Sequence, residues 1–181
     1  RQSSDDLTRF ARLYVATGET KYKTAYDLIV DIRAGKVARP QDYPVHFWSV
    51  LPSNLDSLRS GSGEKIALVD LMKKNGFTAD ELALLHEAND KSTALARTES
   101  EAFDLIESAP SDPTAHTQAL AAANKMLSDA AYMGVKAEIM HPVDSFFGKL
   151  DARLSAEEQA VQSKAYFLLS ILGVIIVVLL V

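Results

Sequence analysis

Few residues in this 181-residue chain are arranged for chemistry. Gly61-Ser62-Gly63-Glu64-Lys65 superficially resembles a phosphate-binding loop. It lacks the four-residue gap between glycines and the Lys-Ser/Thr pair that such a loop uses, and no strand precedes it, so it reads as a linker. Nor does Ser62 stand in a Gly-x-Ser-x-Gly elbow. Of His46, His86, His116 and His141, only His86 has a ligand-capable helical neighbour, Asp90 at i+4. Two ligands do not hold a metal, and the pair reads as solvated. Zero cysteines exclude disulfides, thiolate zinc sites and thiol nucleophiles. No catalytic residue, metal site or cofactor is expected, and the chain does not read as an enzyme.

Binding residues are a different matter. Leu82, Leu85, Asn89, Ser92, Ala96, Glu99, Phe103 and Ile106 recur at alternating spacings of three and four, the inward stripe of a helix in a bundle. The ends of the stripe are apolar and its middle holds Asn89, Ser92 and Glu99. Such polar groups line a ligand pocket between helices, or they face a partner and fix register; both readings stand. Arg9 and Arg12 lie beside Asp5 and Asp6 at helical spacing, which suits local ion pairs. Alternatively, one of these arginines grips the carboxylate of a small ligand with its forked donors. Tyr14, Tyr22, Tyr26 and Trp48 wall such a pocket or simply fill the core.

The elements that must position these groups are helices almost throughout. Ser3-Ser4-Asp5-Asp6 offers cap oxygens and first-turn acids. Leu7, Phe10, Ala11, Tyr14 and Val15 follow along one helix face, with Gly18 as the stop. A second helix is expected over 19–34, with Tyr22, Tyr26, Ile29 and Ile32/Arg33 on one side and Gly35 at its end. Pro40, Pro44 and Pro52 then break the regularity, leaving room for a short aromatic helix over 45–51. Residues 64–75 resume the helical pattern up to Gly76. Thr78-Ala79-Asp80-Glu81 is a capping box, opening a helix that should reach about Ser108. Another is expected from Thr114 to about Ile139, ended or kinked by Pro142. Val143, Phe147, Leu150, Leu154 and Val161 then keep one apolar seam leading into Ala165–Val181, a run whose sole polar side chain is Ser170.

Composition narrows the class further. All charged residues precede Ala165, and the formal net charge of −5 speaks against a nucleic-acid surface. A membrane helix needs roughly 20 apolar residues, so the seventeen from Ala165 read as a truncated span and the chain as a fragment of a longer protein. The run lies too far along the chain to be a signal peptide.

Several stretches, taken in order, carry a resemblance. They are Asp5-Asp6-Leu7-Thr8-Arg9, Tyr14-Val15-Ala16-Thr17-Gly18, Ile29-Val30-Asp31-Ile32-Arg33-Ala34-Gly35, and Arg39-Pro40 with Tyr43 and Phe47-Trp48. They continue with Gly76-Phe77-Thr78-Ala79-Asp80-Glu81, Glu99 with Ala102, Lys136-Ala137-Glu138-Ile139-Met140 with Pro142 and Phe146, and Asp151-Ala152-Arg153. Together, over about residues 3–155, they resemble the periplasmic sensor region ahead of the second transmembrane helix of bacterial methyl-accepting chemotaxis proteins. Similar regions precede diguanylate cyclase and histidine kinase modules. Ser49 follows Trp48 where the resemblance leads one to expect an acid. The resemblance implies an upstream first transmembrane helix, a periplasmic helical domain, a homodimer and a downstream cytoplasmic output module; it implies no particular ligand.

The expectation is therefore an all-α fold: an elongated, four-helix-bundle-like sensor domain over 1–163 whose last helix enters the inner membrane at 164–181. Arg9, Arg12, Tyr14, Tyr26, Trp48, Asn89, Ser92 and Glu99 are the candidate ligand-binding residues. The expected partners are a second copy, a small molecule such as a carboxylate or a periplasmic protein, and the lipid bilayer. A membrane-anchored bundle that binds another protein is the alternative from a different class.

Overall fold

The computed structural model describes residues 2–40, 43–44, 47–49, 51 and 54–180, with the side chains of 2–3 and 173–180 excluded. The described residues form seven α-helices, one 3-10 turn and no strand. The helices are α1 (Gln2–Thr17), α2 (Thr20–Arg33), α3 (Leu55–Arg59), α4 (Leu68–Lys74), α5 (Ala79–Glu107), α6 (Pro113–Met126) and α7 (Ala130–Leu180), with the 3-10 turn at Phe47–Ser49. Two units emerge: a compact one ending at Val143, and a second from Asp144, whose described residues continue α7 to Leu180. The expected boundary at 163 lies twenty residues beyond the end of the compact unit.

In the compact unit, α1 packs on α2, α5 and α6, and α5 also packs on α4 and α6. The expected stripe of α1 supplies its share: Leu7, Phe10, Ala11, Tyr14 and Val15 are all buried. Opposite them stand Leu28, Ile29 and Ile32 from α2 and Leu95, Ala102, Phe103 and Ile106 from α5. Tyr14 and Tyr26 both meet the Phe103 ring edge-on, with centroids 5.1 and 5.2 Å away. This geometry suits aromatic quadrupoles and adds to area burial.

Helix ends have local causes. Gly18 turns left-handed at φ +70° and donates to the Tyr14 carbonyl at 2.7 Å, closing α1. Gly35, at φ +74°, ends the run after α2, and the backbone of Ile66-Ala67 crosses there so closely that a Cβ would sit 2.5 Å from the Ala67 nitrogen. Thr78 and Glu81 form the expected capping box at the start of α5, and Asp112 caps α6 ahead of Pro113.

Four expectations need correction. Ser3 to Asp6 lie inside α1, which already starts at Gln2, so they do not cap it, while Asp5 stands in its first turn as expected. Between the expected aromatic helix and residue 64, where no helix was expected, stands α3, capped by Asn54 through the Ser57 amide. Residues 64–67 are not helical; α4 begins at Leu68, because the chain is extended at Ala67 where it passes Gly35. The helix expected over 114–139 is two helices that break at Leu127–Asp129, where Asp129 accepts from the Tyr132 amide and restarts the chain as α7.

Pro142 does not end a helix; α7 runs through it. Lacking an N–H, Pro142 leaves the Glu138 carbonyl without its helical donor, and Lys91 Nζ reaches that oxygen at 3.5 Å. Of the short aromatic helix expected over 45–51, only the Phe47–Ser49 turn is described; Val45, His46 and Val50 lie outside the described residues. The expected span at 164–181 is helical to Leu180, but the side chains of 173–180 and all of Val181 lie outside the described residues. Among the described residues, no helix is long and apolar enough to cross a membrane.

Candidate functional site

The compact unit contains a cavity of about 460 Å³ walled by α1, α2, α4, α5 and the first turns of α7. That volume falls within the usual range for small-molecule sites. Glu99 on α5 lines it and is almost fully buried at 3% exposure. Its carboxylate is held by two phenols: Tyr26 on α2 donates to Oε2 at 2.5 Å, and Tyr132 on α7 donates to Oε1 at 2.6 Å. One carboxylate thus ties together three helices that are distant in sequence. Burial pushes the Glu99 carboxyl above its ordinary range, against the lowering effect of the two phenol hydrogen bonds and of Lys136 and Arg33. Burial likewise raises both tyrosines, and Glu99 beside them adds to the shift.

Arg33, seven residues after Tyr26 on the same face of α2, also lines the cavity. Burial lowers its pKa, against the pull of Tyr26, Glu99 and Tyr43; a guanidinium in this position still carries its charge. Among the described residues, no carboxylate comes within ion-pair distance of it. Asn89, His86 and Thr93 form an exposed rim on α5, and Ser92 stands half-buried between them and Glu99.

The eight candidate residues separate into groups. Tyr26, Asn89, Ser92 and Glu99 meet at the cavity. Tyr14 and Trp48 do not line it. Tyr14 is core, its hydroxyl pKa raised by burial and then by Glu107. Trp48 packs edge-on against Phe10, Tyr43 and Phe47, and its indole N–H donates to the Tyr43 hydroxyl.

Arg9 and Arg12 also lie outside the cavity and face a second, more open groove with Asp5, Asn124 and Lys136. Arg9 pairs with Asp6 at 3.1 Å and donates to the Trp48 carbonyl. Arg12 Nε donates to the Leu127 carbonyl at 2.9 Å, and its guanidinium stacks over Tyr132 at 5.5 Å. Arg12 therefore satisfies the carbonyl exposed where α6 breaks.

Sequence reasoning missed Arg33, Thr8, Tyr132 and the α4 wall formed by Leu68, Val69 and Met72. Arg33 had a signal, its seven-residue spacing from Tyr26; Tyr132 had none until the break at 127–129 was known. Among the described residues, no cluster of three His, Cys, Asp or Glu side chains could hold a metal ion. No protein-family profile, curated protein or solved structure matches the chain.

Proposed function

We propose that this chain is the ligand-sensing region of a bacterial transmembrane receptor: a four-helix-bundle-like domain that binds a small molecule in the Glu99 cavity and signals through α7. The observation that carries this reading is the Tyr26–Glu99–Tyr132 bridge: Tyr26 and Glu99 line the cavity, and Glu99 accepts from Tyr132 in the first turn of α7. A ligand that favours one arrangement of this wall shifts the position of α7. Because α7 is one helix from Ala130 to Leu180, a shift at its start has a covalent path toward its end. The chemotaxis-receptor reading follows the resemblance, as do a homodimer, a periplasmic sensor domain and an inner-membrane span; the apolar run from Ala165 supports the last. A cyclase or kinase sensor uses the same device with a different output. The domain performs no catalysis in this scheme.

Two experiments test the proposal. Ser92→Phe places a ring in the cavity mouth. Compounds from a metabolite library that raise the melting temperature of the wild type should lose that effect in the variant. If no compound stabilises the wild type, small-molecule sensing is wrong, and the protein-binding bundle takes its place. In the intact membrane receptor, inserting two glycines after Ala156 should abolish the response to a binding compound; a retained response would rule out transmission along α7.

A further inference from the structure

The charges on the cavity wall restrict what can occupy it, and this step rests on the sensing reading above. Among the described residues no carboxylate stands within ion-pair distance of Arg33, and Glu99 acts on it only through its longer-range field. Arg33 is half-buried in the cavity wall; a guanidinium there suits a planar anion, and a carboxylate matches its fork. Among the described residues Glu99 is the one carboxylate in the wall, and each of its oxygens accepts a phenol hydrogen bond. Most of the remaining wall is apolar, including Leu68, Met72, Leu85, Ile139, Met140 and Val143. Two of these are methionines, whose unbranched side chains adapt to varied apolar shapes.

We propose that the cavity binds a monocarboxylate with an apolar body, its carboxylate on Arg33 and its hydrocarbon or aromatic portion against the α4, α5 and α7 wall. Free α-amino acids are poor occupants. Their ammonium needs an anionic partner, and burial works against the charged form of Glu99; an ammonium left unpaired there is costly. Dicarboxylates are poor occupants too, since among the described residues Arg33 is the one Lys or Arg in the wall, and a second carboxylate would find no such cation to balance it. Alcohols of the same length fit the apolar wall but leave Arg33 unpaired.

Matched ligands test this in the full chain, held in lipid nanodiscs with empty nanodiscs as reference. Calorimetry would compare straight-chain monocarboxylates of six, eight and ten carbons with the 2-amino acid, the terminal diacid and the primary alcohol of each length. The monocarboxylate should bind tightest at the preferred length. Arg33→Ala should weaken it roughly 10- to 100-fold, Arg33→Lys should recover part of the loss, and Arg12→Met should leave it unchanged. Circular dichroism would confirm that each variant folds. Equal or tighter binding of the amino acid or the diacid would overturn the proposal, as would undiminished monocarboxylate binding by a folded Arg33→Ala. If none of these ligands binds while a library compound does, and Ser92→Phe blocks that compound, the assigned ligand class is wrong and sensing stands. If nothing from either set binds, both fall.

Discussion

Glu99 holds two phenols in a setting that disfavours its own charge, and that conflict has a measurable pH signature. In the folded protein burial raises its pKa, whereas in the unfolded chain it titrates near the ordinary value of about 4.3. Below that value both states are protonated and the group is neutral toward stability. As pH rises past it, the unfolded state releases its proton first, so the folded state holds more protons and stability falls. The fall ends above the raised folded value. Glu99→Gln removes this titration while keeping an acceptor for one phenol. Denaturant melts of both proteins between pH 4 and 8 should therefore show wild-type stability declining relative to Glu99→Gln as pH increases. A constant difference would mean that Glu99 titrates normally in the fold. Glu99→Ala instead leaves two buried hydroxyls without an acceptor and should cost about 2–4 kcal/mol. Arg12 makes a contrasting prediction. Its bond to the Leu127 carbonyl is structural, so Arg12→Ala should lower stability by about 1–2 kcal/mol without changing ligand affinity at the cavity.

At the scale of elements, Gly35 is the position where conformation and packing agree. Its φ of +74° costs a side-chain-bearing residue about 1–2 kcal/mol, and a Cβ there would strike the Ala67 backbone nitrogen. Gly35→Ala should therefore destabilise by more than the conformational cost alone, about 3 kcal/mol or above. It should also weaken ligand binding, because Ala67 and Leu68 line the cavity; a calorimetric melt alongside a ligand titration reads both effects. Which elements could be read from the chain follows from how local their causes are. The capping box at Thr78 and the α1 stripe depend on neighbours within one or two turns, and both stand as expected. The break at 127–129 could not be read. Leu127 is fully buried and its carbonyl is satisfied by Arg12, 115 residues away. The stripe on α5 was legible in part. Ser92, Ala96, Glu99, Phe103 and Ile106 belong to it, but the buried face is turned toward Ala88, Leu95 and Ala102, and Asn89 is exposed. Two small alanines carry little hydrophobic signal, yet they let the helix bury that side. The same half-step rotation puts Asn89 on the cavity rim instead of inside it.

At the scale of the whole molecule, the second unit presents a row that a single copy leaves uncovered. Phe147, Leu154 and Val161 recur every seven residues on α7 and are 43%, 49% and 67% exposed. Leu150 lies three residues after Phe147 and is half-buried. A seven-residue apolar repeat is the seam of a left-handed coiled coil, and a parallel pair of identical helices would set each of these residues against its own counterpart. The chain has no cysteine, so a single introduced thiol reports one position without interference. Leu154→Cys, on the seam, should form a disulfide-linked dimer under mild oxidation in nanodiscs. Gln159→Cys, five residues on and facing away from the seam, should remain uncrosslinked. Leu154→Glu should shift the uncrosslinked protein toward monomer in analytical ultracentrifugation, because like charges would oppose each other across the pair. Equal crosslinking at 154 and 159 would mean that α7 meets its partner through some other face, or through random collision, and the seam would then need a different occupant.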